Sequence, residues 1–128
     1  HANSCHQALT KLETLCLFAG EELPLRAIRM EICNAVQLVV QISRLADGSR
    51  RINEIAEVHS QLDEGGGYRV TTLFRQQLRG KASAGRLQGE LEPTGDLPSF
   101  LDEARAQGLA VRMDDFRPDD DTETLRRA

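Results

Sequence analysis

The apolar residues change their spacing once, near residue 36, and that change limits what the chain can fold into. Before it they recur at three- and four-residue intervals, the mark of an amphipathic helix. Ala8, Leu9, Leu12, Leu15, Cys16 and Ala19 form one such face. Ser4 followed by Gln7 is a capping-box pattern ahead of it, and Gly20 is a natural stop. The spacing predicts a helix over Cys5–Ala19. Leu25, Ile28, Ile32 and Ala35 make a second stripe behind Pro24, whose missing N–H suits a first helical turn, and predict a helix over Pro24–Asn34.

Beyond residue 36 the period is two. Val36, Leu38, Val40 and Ile42 alternate with their neighbours and predict a strand with one face fully buried. Asp47-Gly48 is a strong hairpin signal, and Arg50–Val58 reads as the returning strand. Gly65-Gly66-Gly67 marks a turn, Tyr68–Gln76 alternates again, and Gly80–Gly85 reads as a loop. Arg86–Glu92 is a weaker strand because Gly89 interrupts it. Pro98 opens a short helix to about Gln107, with Phe100, Leu101 and Ala104 inward and Gly108 as its stop. The expected fold class is α/β: two helices, a three- to four-stranded antiparallel meander and one short C-terminal helix, without the alternating rhythm of a complete nucleotide-binding fold.

The chain has 128 residues, room for one domain. Aromatics are only 4% and Trp is absent, so the core must be built from Leu, Ile, Val and Ala. Residues 114–128 carry a charge of −3 and the body −1, which divides the chain into a nearly neutral globular part, 1–113, and an acidic tail, 114–128, expected to be disordered. A neutral body with a single Tyr argues against nucleic acid as a partner. No apolar run approaches a membrane span, and no secretory signal pattern is present. Cys5, Cys16 and Cys33 are odd in number and form no CxxC, which fits a reducing compartment. The chain opens at His1 without Met, the expectation being a fragment or a processed piece.

The chemistry-bearing residues are few. GxxxxGK[ST] is absent, so the chain holds no P-loop cradle for a triphosphate and alone is expected to be inactive as an ATPase. His1-Ala2-Asn3-Ser4 places imidazole, carboxamide and hydroxyl ahead of a capped helix, a combination that suits an anion sensor or an ordinary cap with a solvated His. Cys5 and His6 are adjacent and diverge on a helix, so no metal is expected. His59 reads as a solvated histidine at a strand end, and Cys16 and Cys33 as core filler. Arg44, Arg50 and Arg51 with Glu54 and Glu57 read as cross-strand salt bridges on a solvated face or as an intersubunit contact surface. Asp114–Asp115 and Asp119–Asp121 read as a solubilising tail.

Three blocks in order carry a resemblance: His1-Ala2-Asn3-Ser4 with Ala8 to Leu15, Leu23 to Ile28, and Val39 to Ile52 with Ile55 to Val58. Together they resemble the type II/type IV secretion ATPases, and most closely the CpaF-like branch that assembles Flp/Tad pili. The likeness runs from His1 to about Phe74, is weaker over Pro98–Gly108 and is absent in the tail. It implies the C-terminal portion of a RecA-like P-loop ATPase domain. Such proteins form hexameric rings, cytoplasmic and peripheral at the inner membrane, where they meet secretion or pilus components and couple ATP hydrolysis to pilus biogenesis or protein secretion. By this resemblance His1 is the His-box sensor, with His1 and Asn3 near the γ-phosphate and Ser4 as the helix cap. ATP and Mg2+ would be bound in the full-length protein, by segments that would precede His1. Cys5 stands where the family often has Pro, and the stretch after Phe74 diverges. The competing expectation is a non-catalytic interaction module derived from such a motor.

Overall fold

Both predicted helices form where the 3.6-residue spacing places them. In the computed structural model, which describes residues 1–20, 23–81 and 85–118, α1 spans Cys5–Phe18 and α2 spans Leu25–Ala35. Four strands follow: β1 (Leu38–Arg44), β2 (Arg50–Leu62), β3 (Tyr68–Lys81) and β4 (Leu87–Pro93). They make one antiparallel sheet in the order β1-β2-β3-β4, a meander. A short helix α3 (Leu101–Ala106) and a 3-10 turn (Met113–Phe116) close the described chain. The α/β arrangement and the antiparallel sheet agree with the sequence reading, and the sheet has four strands rather than three.

Two apolar clusters hold the layers together. Leu9, Ile28, Ile32, Cys33, Val58 and Tyr68 form the larger one, between the helix pair and the sheet. Leu73, Leu101 and Phe116 form the smaller one, joined by Phe74 and Val111. Because strand side chains alternate, Leu73 lies on the opposite face from Val70 and Thr72, so α3 and the 3-10 turn cover the other side of β3.

The face of β1 expected to be buried is the exposed one. Leu38, Val40 and Ile42 are 46, 50 and 60% exposed, whereas Val39 is half-buried in the larger cluster and Gln41 is buried beneath the N-terminal stretch. Two causes combine. The Gln41 amide finds an acceptor in the Ala2 carbonyl at 2.7 Å, which lets a polar side chain face inward. On the opposite face α3 and the 3-10 turn pack at β3, leaving β1 uncovered. In α1 the buried residues are Cys5, Leu9 and Glu13, so Leu12 and Leu15 of the predicted stripe point outward.

The C-terminal boundary also moves. Disorder was expected from Asp114, yet Phe116 is buried, 5.5 Å between ring centroids from Phe74. Asp115 accepts from the Arg112 backbone N–H and pairs with its guanidinium, and Asp114 pairs with Arg117. These acids shape a turn that delivers one aromatic ring to the core. Asp119–Asp121 lie outside the described residues.

The hairpin Arg residues are used differently from the salt bridges expected on a solvated face. Arg44 and Arg50 lie directly opposite each other, and neither pairs with Glu54 or Glu57, both of which are buried. Arg51 instead donates to the carbonyls of Gly89 and Leu87 on β4, while Asp47 accepts from the Leu87 N–H at 2.7 Å. The Ser49 hydroxyl, then the Leu87 and Ser49 backbone N–H groups, bring the Asp47 carboxyl down to about 2. The sheet therefore curls until the β1–β2 turn caps the outer edge of β4, a protected edge rather than an open one. Gly48 makes this turn at φ +83°.

Gly89, read as a weakness of β4, is a requirement of it. A Cβ there would lie 2.1 Å from the Gln77 carbonyl oxygen. Gly89→Ala should therefore destabilise the fold by about 2 kcal/mol or more through overpacking against backbone, read as a drop in the thermal unfolding midpoint. An unchanged midpoint would contradict the close approach.

Candidate functional site

The N-terminal stretch meets the sheet through buried hydrogen bonds. Ser4 is extended (φ −153°, ψ 163°) and its Oγ accepts from the Gln7 N–H at 3.1 Å. Gln7 reaches back one residue further than the simplest capping box, its Oε1 accepting from the Asn3 N–H at 2.6 Å. Ala2 is held by Gln41 on β1. The Cys5 N–H, at the first turn of α1, donates to Oε2 of Glu54 on β2 at 3.1 Å. Oε1 of the same carboxylate accepts from the Thr72 hydroxyl at 2.7 Å and faces the Arg75 guanidinium at 3.5 Å.

Glu54 thus fills the anion position that a helix N-terminus offers. The anion that the N-terminal cap suggested is supplied internally. Burial works against the Glu54 charge, but the Cys5 N–H and the Thr72 hydroxyl hold its carboxyl below the ordinary 4.5. The Cys5 thiol, buried beside that carboxylate, is pushed up to about 12 and donates to the Val39 carbonyl at 3.4 Å.

His1 and Asn3 are exposed. His1, Ala2, Ala8, Lys11, Leu12, Leu15 and Val39 border an open, largely apolar cleft of about 300 Å³ between α1 and β1. His1 thus borders this cleft and Asn3 does not, and both precede a helix whose first turn is fastened to the sheet. Among the described residues no three His, Cys, Asp or Glu side chains are grouped to hold a metal ion.

Three further carboxylates are buried, and each joins separate elements. Glu13 of α1 binds Arg29 of α2 at 2.8 Å and accepts from the Tyr68 hydroxyl of β3. The Arg29 guanidinium holds Glu13 below 4.5 against the cost of burial, and the Tyr68 hydroxyl adds to this. Glu57 accepts from both the N–H and the hydroxyl of Ser99, tying β2 to the approach to α3. Glu92 pairs with Arg79 between β4 and β3. Periodicity did not reveal these roles, because a lone Glu in an apolar run reads as a solvated position until its partner is known.

His59 was expected at a solvated strand end. It lies within β2, half-buried, with Nε2 2.8 Å from the Thr71 hydroxyl. It borders a second cleft of about 300 Å³ with Glu57, Ser99 and Glu103. Cys33 is buried and Cys16 half-buried against the larger cluster, as expected of core filler. No protein-family model matches the chain, and no curated protein matches it.

Two outcomes follow from these environments. Glu13 and Glu54 bind protons more weakly in the folded chain than in the unfolded one, so acid favours unfolding. Stability should be fully present above 4.5 and fall as pH drops through the lower folded values. In urea titrations across this range, Glu54→Gln should flatten the dependence, and an unaltered slope would contradict the assignment. Native alkylation near neutral pH should modify Cys16 well before Cys5 or Cys33, whose thiols are buried and raised; mass mapping after a timed quench reads the order.

Proposed function

We propose that the chain is the C-terminal portion of the motor domain of a CpaF-like secretion ATPase, in which His1 reports nucleotide state. The supporting observation is the double attachment of the N-terminal stretch. The Ala2 carbonyl is bound to Gln41 on β1, and the Cys5 N–H to Glu54 on β2. A displacement of His1 would thus be felt by the strands of the β1–β2 hairpin, not by a loose tail. The resembling blocks map onto these same parts: the N-terminal stretch with α1, the start of α2, and the hairpin.

ATP and Mg2+ would be held elsewhere in such a motor, since the 128 residues contain no P-loop. What this chain's residues offer is an exposed imidazole at His1 and an exposed carboxamide at Asn3, both able to donate to phosphate oxygens. When bound, the nucleotide supplies the phosphoryl-transfer chemistry. His1 senses it, and Gln41 and Glu54 transmit its position to the sheet. A hexameric ring at the cytoplasmic face of the inner membrane, working on a pilus or secreted protein, belongs to the same proposal. No described helix is long and apolar enough to cross a membrane.

A second reading, a non-catalytic module that binds such a ring, draws support from exposed apolar side chains: Phe18 is 82% and Leu15 63% exposed on α1. The two separate in the complete polypeptide. His1→Ala should lower ATP turnover about tenfold or more, whereas Gln41→Ala should leave turnover largely intact and reduce pilus or secretion output. Wild-type turnover and output in both variants would refute the motor reading and favour the module.

A further inference from the structure

Among the described residues Glu57 is the one buried carboxylate with no cation beside it. Glu13, Glu54 and Glu92 each face an arginine. Glu57 is 3% exposed, and its carboxylate accepts only from the Ser99 N–H, at 2.9 Å, and from the Ser99 hydroxyl. A buried charge without a counter-charge is satisfied only while its donors stay in place. Both donors here come from one residue of a segment outside the sheet. The carboxylate is satisfied while that segment is docked, and water reaches it when the segment lifts.

That segment, residues 95–118, is thinly attached. Its buried residues are Pro98, Leu101 and Phe116. Leu101 and Phe116 reach only the smaller cluster, with Leu73 and Phe74, which is separate from the cluster that packs α1 and α2 on the sheet. Its ion pairs, Asp102–Arg105, Arg112–Asp115 and Asp114–Arg117, lie within the segment and near solvent, so they contribute little and do not hold it to the sheet. Thr94 is the last residue fastened to β3, its N–H donating to the Leu73 carbonyl at 2.9 Å and its hydroxyl to the Thr72 carbonyl at 2.7 Å. Gly95 follows at φ +99°, and a Cβ placed there would lie 3.6 Å from Cδ of Pro118. The segment thus leaves the sheet and returns to it at one point.

We infer that residues 95–118 are a hinged cover on the sheet, pivoting at Gly95 and latched by Glu57, which opens as a unit while α1, α2 and the sheet stay folded. Elements with few buried apolar contacts open at lower free energy than the core. Val40, Ile55, Phe74 and Pro93 stand directly opposite one another in a row across the four strands, and residues so paired share a face. Val40 is exposed at one end of this row, while the closed cover buries Leu73 and lays Phe116 on Phe74. Opening therefore extends the exposed apolar face from β1 to β3, and the cover sets how much of that face the protein shows. The cleft bordered by Glu57 and His59 on the sheet and by Ser99 and Glu103 on the segment marks the seam. The inference stands apart from the motor reading: a segment that never opens separately would remove the cover and leave that reading as it is.

Hydrogen exchange of the folded 128-residue chain, in urea below its unfolding transition, tests it. The Leu101, Ala104 and Gln107 amides are bonded to carbonyls within the segment, and the Val58 amide to Gln37 beside the sheet. The first three should share one opening, about a hundredfold more frequent than the one that releases Val58 and with a smaller urea dependence. Ser99→Ala, at an exposed residue, should speed their exchange about tenfold and leave Val58 unchanged. Phe116→Ala, which empties part of the smaller cluster, should speed it further, with Val58 protection showing that the rest stays folded. One opening with one urea dependence for all four amides would make the chain a single cooperative unit. Separate rates without urea dependence would mean fraying of α3 alone, and unaltered exchange in Ser99→Ala would remove the latch. Each of these results would overturn the proposal.

Discussion

A single carboxylate, Glu54, fixes the position of both layers. It accepts from the first turn of α1 with one oxygen and from Thr72 of β3 with the other, while standing on β2. A negative charge at a helix N-terminus is favourable because it meets unpaired N–H groups and the positive end of the helix dipole. Burial raises the cost of leaving that charge unsatisfied, so the carboxylate and its two donors must stay together. The attachment also decides where the N-terminal stretch lies, and therefore where His1 and Asn3 are presented. Without Glu54 the first turn of α1 would have a buried donor and no acceptor.

The other buried glutamates extend the same device. Glu13 joins α1 to α2 and β3, Glu57 joins β2 to the approach to α3, and Glu92 joins β4 to β3. A chain with 4% aromatics and no Trp has few large side chains with which to lock its layers. Hydrogen-bonded carboxylates supply geometric specificity where packing volume is scarce, and each is costly to break singly. The two small clusters, around Leu9 and around Leu73, are held in place by these contacts as well as by their own apolar area.

The helices and strands were legible in the residues because their signal is periodic. Ser4, Gly20, Pro24 and Asp47-Gly48 marked boundaries that lie within a few residues of those found. The misread features depended on what packs where. An alternating strand tells which residues share a face but not which face is covered, and β1 presents Val40 and Ile42 to solvent because α3 packs beside Leu73 instead. Phe116 was hidden in an acidic run whose charges turn out to shape the turn that carries it. Of the candidate site, the cap at Ser4 could be read directly, and an exposed His1 belongs to the cap reading of that stretch. The attachments through Gln41 and Glu54 span 39 and 49 residues and leave no local signature.

The role of Glu54 is tested most directly by following its carboxyl carbon and the Cys5 amide in the same NMR pH titration. The account predicts that Glu54 titrates below 4.5 and that the Cys5 amide proton shifts with the same midpoint, because the two share one hydrogen bond. A Glu54 midpoint at or above 4.5, or a Cys5 amide that ignores it, would contradict the account.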